Sequence, residues 1–390
     1  MKTSGNRALL ALTAASMGLP AIAPNNARAQ SPPEEFSASY RYSEYSESEQ
    51  PASLSSDGAV ERFDIAIHQL RMQTPMLGNA AFSVDLISET LSGASPWFIT
   101  PGADGEPVQT LSGATIDEQR DEISIAADIY GDHARTGIGV AYSTENDYDS
   151  LGVRFNHSSY SDDKNSTLDF VIGGSVDSIT PTQEPGIIRV ENEGKNNVYG
   201  SVGISHAFTK TLLIGITGSY SVFEGFLSDP YKLVYVAGDL LADSRPSEKR
   251  QAAFDARVRK YFPNQNTALH VDYRYYGDSF GVASNTLKFG AFKNLGEWQL
   301  SATTRWYIQD SANFHRNFFE VTRADGFYSS DYRLSDFQAM SYSVGIKKSF
   351  GFGAVKLSFE SYDSTGDGDT PNPGLTDFQL LSLGIDFAIK

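Results

Sequence analysis

Few of the chain's titratable residues are spaced as catalytic or metal-binding groups are. The six histidines show no HxH, HExxH or HxxxH spacing, which zinc sites commonly use. Ser205 and His206 are neighbours in a predicted strand, so their side chains point to opposite faces and cannot pair as nucleophile and base. The chain has no cysteine, which removes thiolate chemistry and disulfides. We predict no enzymatic activity, no metal and no cofactor.

The acidic segment Asp363–Asp369 resembles the start of a calcium loop. A full EF-hand loop needs a bidentate Glu at its twelfth position. Counted from Asp363, that position is Gly374, which has no side-chain ligand. We therefore interpret the segment as a solvated outer loop.

A second set of charged residues alternates with apolar ones. In Ala268–Tyr276, four apolar or aromatic residues alternate with His270, Asp272 and Arg274. Successive side chains of a β-strand point to opposite faces, so this segment has one apolar face and one charged face. The alternation restarts about sixteen times between Phe36 and the end of the chain.

Sixteen strands are predicted, and most are long enough to cross a bilayer at a tilt. In the second strand the alternation changes phase between Ile67 and Leu70, which predicts a β-bulge. The strands are expected near residues 36–47, 60–73, 79–90, 120–131, 135–145, 148–160, 165–178, 196–208, 211–226, 249–262, 267–277, 282–293, 297–309, 338–350, 353–364 and 377–389.

Long connections alternate with short ones along the chain. Outer-membrane barrels have short periplasmic turns, longer extracellular loops and both termini in the periplasm. A soluble β-sandwich, the main alternative, gives no reason for long loops at every second connection. The predicted fold class is all-β, with a single transmembrane antiparallel β-barrel of about 16 strands, long extracellular loops and short periplasmic turns.

The first 29 residues have the features of a cleaved secretory signal peptide. Lys2 and Arg7 precede an apolar run, and Ala27-Arg28-Ala29 forms a small-x-small cleavage site. An uncleaved anchor is the alternative, but the run is short and is broken by Pro20. Residues 30–390 would then form the barrel, in the outer membrane of a Gram-negative bacterium.

The net charge of the chain and the sequence of its last predicted strand indicate which partners to expect. The net charge of −17 argues against nucleic acid. Outer-membrane lipid is the expected surrounding. Ser382, Gly384, Phe387 and Ile389 match the loose pattern of last strands that the barrel-assembly machinery handles during biogenesis.

Charged residues on the polar face of the strands are candidates for lining the lumen. A barrel of this size can hold water inside, so these charges can set ion selectivity. The alternative is a salt-bridge network that stiffens the wall. The four arginines of this set would form a positive stripe in an otherwise acidic pore. The candidates are Arg257, Arg259, His270, Asp272, Arg274 and Arg305.

Several stretches go beyond generic barrel character. Together they resemble the outer-membrane β-barrel family catalogued as domain of unknown function 3570, over nearly all of the mature chain. Trp306, Ile308 and Phe280 depart from the residues expected there. The stretches are Leu91–Pro96, Tyr142–Ser150, Gly225–Lys232, Tyr273–Gly281, Arg305–Phe314 and Ser330–Ser335.

The resemblance implies export and barrel formation but no established activity. It also implies encoding near a thioredoxin-like protein, a small lipoprotein and a flavin transferase, which hints at an extracytoplasmic redox or assembly system. Two functions follow as hypotheses. One is a channel or gated pore with a charged lumen. The other is a structural or docking barrel with a plugged lumen and periplasmic or lipoprotein partners.

The loop stretches of the family resemblance also admit two interpretations. Their Asp, Ser, Asn, Pro and Tyr residues are typical of turns. They are therefore expected to be folded loops that pack over or into the mouth. The functional interpretation is a binding surface or plug at the extracellular opening.

Overall fold

Sixteen long strands close into one antiparallel barrel in the described part of the chain, where the last strand pairs with the first. The structure is a computed structural model, and it describes residues 31–56, 60–76, 78–94, 96–111, 116–183, 187–366 and 372–389. The predicted signal peptide lies outside these residues. No helix in these ranges is long and apolar enough to cross a membrane.

All sixteen predicted strands are present, with boundaries that differ by at most four residues. The strands in chain order are β1 (Phe36–Glu47), β2 (Asp64–Met76), β3 (Ala80–Gly93), β4 (Pro96–Pro101), β5 (Pro107–Leu111), β6 (Ile116–Tyr130), β7 (Ala134–Thr144), β8 (Tyr148–Tyr160), β9 (Ser166–Ile179), β10 (Glu193–Thr209), β11 (Leu212–Gly225), β12 (Leu233–Val236), β13 (Asp239–Ala242), β14 (Glu248–Phe262), β15 (Thr267–Asp278), β16 (Ala283–Leu295), β17 (Trp298–Gln309), β18 (Phe337–Phe350), β19 (Gly353–Gly366) and β20 (Phe378–Ile389).

Four of these strands were not predicted and lie outside the wall. β4 pairs with β5 and β12 pairs with β13, so each pair forms a hairpin within an outer connection. Short 3-10 helices lie at Ala52–Leu54, Pro263–Gln265 and Tyr332–Leu334 among the described residues.

The connections alternate in length as predicted. The outer connections between wall strands span residues 48–63, 94–115, 145–147, 180–192, 226–247, 279–282, 310–336 and 367–377. The inner ones span 77–79, 131–133, 161–165, 210–211, 263–266, 296–297 and 351–352. The asymmetry assigns the long connections to the extracellular end.

The outer face of the wall is apolar. Ile138, Val176 and Val202 are each more than half exposed, as lipid-facing residues of an isolated barrel are. Exposed aromatic residues lie at both edges of this apolar band, where membrane barrels have aromatic girdles at the membrane–water interfaces. They are Tyr142, Tyr220, Tyr275, Trp306 and Tyr342 toward the extracellular end, and Phe208, Phe262, Trp298 and Phe350 toward the periplasmic end.

The predicted bulge in β2 is wrong. β2 keeps an unbroken register with both β1 and β3 through Ile67 and Leu70. The apolar pattern changes phase because Ile65 and Ile67 face inward and pack with Phe63 and Leu91, whereas Leu70 faces outward. Apolar residues therefore occupy the inner face where loops pack against the wall.

Adjacent positions on β10 test the assignment of the two faces. Val202→Arg places a charge at mid-height on the lipid face and is expected to lower the free energy of unfolding by about 2–4 kcal/mol. Ser201→Arg is the matched control, because this side chain lies on the inner face. Urea unfolding in phospholipid vesicles measures both. Equal losses would contradict the assignment.

Candidate functional site

The described outer connections fold over the extracellular mouth and form what we call the cap. The cap comprises residues 48–56, 60–63, 94, 96–111, 145–147, 180–183, 187–192, 226–247, 279–282, 310–336 and 372–377. Inner-face residues beneath it are buried, among them Ser150, Asp177 and Ser341. Gln309 on β17 donates its Nε2 to the backbone oxygen of Arg333 at 3.0 Å, which joins wall and cap.

Arg62 joins three elements of the cap and the wall. Its Nε lies 3.0 Å from Oε2 of Glu47 at the end of β1. Its Nη1 donates to Oε1 of Gln109 at 3.2 Å, and its Nη2 donates to the carbonyl of Gly374 at 3.4 Å. The side chains of Arg62 and Glu47 are almost fully buried. Removal of either partner would leave a buried charge unpaired.

The centre of the cap is a group of buried and partly buried charges, which we call the cap ion cluster: Asp229, Asp243, Arg245, Asp331 and Arg333. Arg245 lies 2.7 Å from Asp243 and 2.9 Å from Asp331. Arg333 donates its Nε to Asp331 at 2.8 Å and lies 3.3 Å from Asp229. These pairs join the connections 226–247 and 310–336.

Asp331 is the common partner within this cluster. It is fully buried, and both arginines contact its carboxylate. Burial alone would raise its pKa. The positive charges of Arg333, Lys232 and Arg245 instead hold the pKa of Asp331 well below its usual range. Asp331 therefore stays ionised and keeps the two connections together.

Lys232 is a further buried cation beside the cluster. Its Nζ donates to the carbonyl of Pro96 at 3.4 Å, which links it to the β4–β5 hairpin. Burial lowers the pKa of Lys232, and Asp331 and Asp229 partly oppose that effect.

Tyr231 forms a second connection across the cap. Its hydroxyl donates to the carboxylate of Asp147 and accepts from the backbone N–H of Thr182 at 3.0 Å. The guanidinium of Arg189 lies 5.0 Å from the centre of its ring. Burial raises the pKa of Asp147 to about 6, although the hydrogen bond from Tyr231 opposes the change.

Two apolar clusters pack beside these polar contacts. One contains Val234, Val236, Phe319 and Tyr328, and joins β12 to the connection 310–336. The other joins the connections 279–282 and 310–336 and contains Phe280, Val282, Ala312, Phe314 and Leu334. The cap therefore has its own cores, which explains why these long connections have defined structures.

The predicted lumen candidates lie on the wall face opposite the exposed apolar residues. Arg259 lies 2.5 Å from Asp272, and Arg274 lies 3.1 Å from Asp255. These two pairs reduce the positive charge of the predicted arginine stripe.

The other three lumen candidates are His270, Arg305 and Arg257, and each lies against an aromatic ring or a glycine of the wall. The His270 ring lies 4.5 Å from that of Phe292. The guanidinium of Arg305 lies 5.0 Å from the centre of the Tyr307 ring. The side chain of Arg257 extends over Gly215, where a Cβ would come within 2.7 Å of its Nε.

The sequence analysis does not identify the cap ion cluster, although the family stretches contain three of its five members. Asp229 lies in Gly225–Lys232, and Asp331 and Arg333 lie in Ser330–Ser335. The interpretation of these acids as turn residues overlooks the ion pairs that they form with arginines. The mixture of acidic and basic residues in these loop stretches was the available signal. No group of three or more His, Asp or Glu residues in the described ranges has the geometry of a metal site.

Asp331→Asn tests whether the cluster holds the cap. The change removes the charge shared by Arg245 and Arg333 and is expected to destabilise the cap by about 3–5 kcal/mol. Asp325→Asn is the control, because Asp325 pairs with Arg323 at 2.6 Å in the same connection but is exposed. Hydrogen exchange of the cap amides measures the change in stability. Equal protection of these amides in both variants would contradict the role of Asp331 in holding the cap.

His315 predicts a pH dependence of the cap. Burial lowers its pKa to about 4, with Asp331 opposing and Arg245 adding to the effect. An unfolded histidine titrates near about 6.5, so the unfolded cap binds the proton first. The contribution of His315 to the free energy of unfolding of the cap should therefore fall by up to about 3 kcal/mol between about pH 6.5 and pH 4. The raised pKa of Asp147 acts in the opposite direction below about pH 6, so the effect of His315 is read as a difference between wild type and a His315 variant.

Trp97 fluorescence measures this effect in a background where Trp298 and Trp306 are replaced by Phe. His315→Gln should remove the His315 contribution, so its free energy of unfolding should fall less on acidification than that of wild type, whereas His133→Gln, at an exposed inner turn, should behave as wild type does. The same pH dependence in His315→Gln and wild type would contradict the assignment to His315.

Solved structures share the barrel architecture at low sequence identity, and no curated protein matches the chain. CdiB from Acinetobacter baumannii has a TM-score of 0.51 and 6% identity, over 92% of this chain and 60% of that chain. A bacterial polysaccharide outer membrane secretin has a TM-score of 0.46 and 9% identity, over 90% and 98% of the two chains. The siderophore receptor PirA from Pseudomonas aeruginosa has a TM-score of 0.40 and 11% identity, over 85% and 56%.

These likenesses concern the fold alone, and the chain spans about three fifths of the length of CdiB and PirA. The family comparison is more specific, because the match extends over residues 9–384 and includes every wall strand except the end of β20. The chain belongs to the family described as protein of unknown function (DUF3570).

Proposed function

We propose that the protein is a gated outer-membrane channel, with a lumen open to periplasmic solvent and a cap that closes its extracellular mouth. The observation that carries this proposal is a gradient of exposure along the inner face. Toward the periplasmic end, the side chains of Arg71 and Asp386 are 60% and 52% exposed. Beneath the cap, Asp177 and Ser341 are 3% and 4% exposed.

The inner-face charges support an ion pathway rather than a dry core. A buried ion pair is costly unless its partners are well satisfied, and water relieves that cost. Asp272 and Asp255 are about one third exposed although they pair with arginines. We propose that Arg257, Arg259, His270, Asp272, Arg274 and Arg305 line this wet lumen and set its ion selectivity.

The outer membrane of a Gram-negative bacterium is the proposed location. The apolar outer face, the aromatic girdles and the alternation of loop lengths support it. The proposal includes cleavage of residues 1–29, contact with outer-membrane lipid, and handling by the barrel-assembly machinery during biogenesis.

A docking barrel is the second candidate, and the construction of the cap favours it. Buried ion pairs and two apolar clusters stabilise the cap, as in a permanent plug. Such a barrel would present its periplasmic opening to periplasmic or lipoprotein partners. Purification from native membranes would then recover a stable partner with the barrel, and recovery of the barrel alone would argue against this function.

A reversible crosslink tests whether the cap is a gate. Ser244 and Tyr328 exchange two backbone hydrogen bonds of 2.9 Å across the connections 226–247 and 310–336. Such a pair has the Cα separation that a disulfide needs, and the chain has no competing cysteine. Ser244→Cys/Tyr328→Cys is expected to give stepwise conductance in planar bilayers when reduced and to lose it when oxidised.

The two single-cysteine variants are the controls and should conduct alike under both conditions. Equal conductance of the reduced and oxidised double variant would contradict gating by these connections. No conductance from wild type and all variants under any voltage or pH would exclude the channel and leave the docking barrel.

A further inference from the structure

Four cations face the lumen from β1 and from strands β16 to β19, on the two sides of the seam where β20 meets β1. They are Arg41 on β1, Lys288 on β16, Lys347 on β18 and Lys356 on β19, and we call them the seam cations. The register places Lys347 directly opposite Lys356. Arg41 and Lys356 both pair with Gly384 of β20, one from each side. Neighbouring strands are about 4.8 Å apart, so Arg41 and Lys356 approach across about two strand spacings.

The seam cations are poorly compensated by carboxylates. The charges that act most strongly on Lys356 include those of Arg41, Lys347 and Lys288, with the carboxylate of Asp386 opposing them. Asp386 lies 3.4 Å from Nζ of Lys347. Arg41, Lys288 and Lys356 form no salt bridge with a carboxylate of the described residues.

The next nearest acids do not change this balance. Asp272 is the register partner of Lys288, but it lies 2.5 Å from Arg259. Glu360 lies four residues farther along β19, toward the cap, and is the register partner of Ser343. An excess of positive charge therefore remains around Lys356, in a chain whose net charge is −17.

This excess of positive charge lowers the stability of the barrel, and no contact among the described residues of the wall requires it. Like charges directly opposite each other on adjacent strands are destabilising, as for Lys347 and Lys356. The adjacent lumen-facing positions of this sector, such as Ser343 and Ser358, carry small neutral residues instead of acids. Arg41, Lys288 and Lys356 are exposed to the lumen, so their donors are available to a solute.

We propose that the seam cations bind a soluble, multiply charged oxyanion of the phosphate or pyrophosphate type that enters from the periplasmic end of the lumen. Lysine ammonium groups bind phosphate oxygens as point charges, and the guanidinium of Arg41 adds a planar pair of donors. Four cations with one nearby carboxylate match an anion that carries several charges. The site does not need the cap to open, so it stands apart from the channel proposal.

Calorimetric titration of the folded full-length barrel in detergent micelles with inorganic pyrophosphate tests the site. Sodium chloride keeps the ionic strength constant, because exposed charges are screened by salt. Saturable binding at one site is expected. Lys288→Gln/Lys356→Gln removes two charge-assisted contacts and should weaken the affinity by about tenfold or more.

Lys260→Gln/Lys348→Gln is the matched control. It removes the same charge from β14 and β18, but both side chains lie on the outer face, where Lys348 covers the ring of Trp298 at 4.9 Å. This variant should bind as wild type does. Lys288→Arg/Lys356→Arg should retain binding, which separates loss of charge from loss of fold.

Two results would overturn the proposal. One is the absence of saturable binding to wild-type protein that migrates as a folded barrel on gels. The other is equal weakening in the inner-face and outer-face variants, which would indicate only a long-range field. Neither result bears on the crosslinking experiment, because conductance through an opened cap does not require an anion site.

Discussion

The requirement that every backbone N–H and C=O be paired within the bilayer determines this structure. No water is available there, so a sheet can span the membrane only when its last strand pairs with its first. Here β20 pairs with β1 along its whole length. Because the strands are antiparallel and even in number, the start of β1 and the end of β20 lie on the same side of the membrane. All the long connections then meet on the other side, where they can form a single cap.

Closure of the barrel also separates an inner face from an outer face, and alternate side chains of each strand occupy them. This explains why the wall strands and their two faces could be predicted from the sequence. A period of two is a local signal, so all sixteen wall strands and the placement of residues such as His270 and Arg274 follow from the sequence. The interpretation of β2 failed because Ile65 and Ile67 pack against Phe63 and Leu91, and that packing depends on the loops. If apolar residues are assumed to face only lipid, an inward-facing apolar residue is misinterpreted as a change of phase caused by a β-bulge.

The cap was less predictable because its contacts are distant in sequence. Asp331 meets Arg245 across 86 residues, and Tyr231 meets Asp147 across 84. No pattern within either segment identifies its partner. The ionic contacts of the protein thus fall into two environments. Those of the cap ion cluster are mostly buried and nearly matched in charge, which stabilises the closed cap. Those of the lumen are hydrated and locally unbalanced, which suits exchange with solutes.

The position of the seam has a consequence for assembly. Arg41 comes from the first strand of the barrel, whereas Lys347 and Lys356 come from strands near its end. Lys347 and Lys356 face each other as soon as β18 pairs with β19, whereas Arg41 comes beside them only when β20 pairs with β1. Part of the electrostatic cost therefore falls on the closure of the ring. An anion present in the periplasm would lower that cost, so it would act as a template for closure as well as a ligand of the finished barrel.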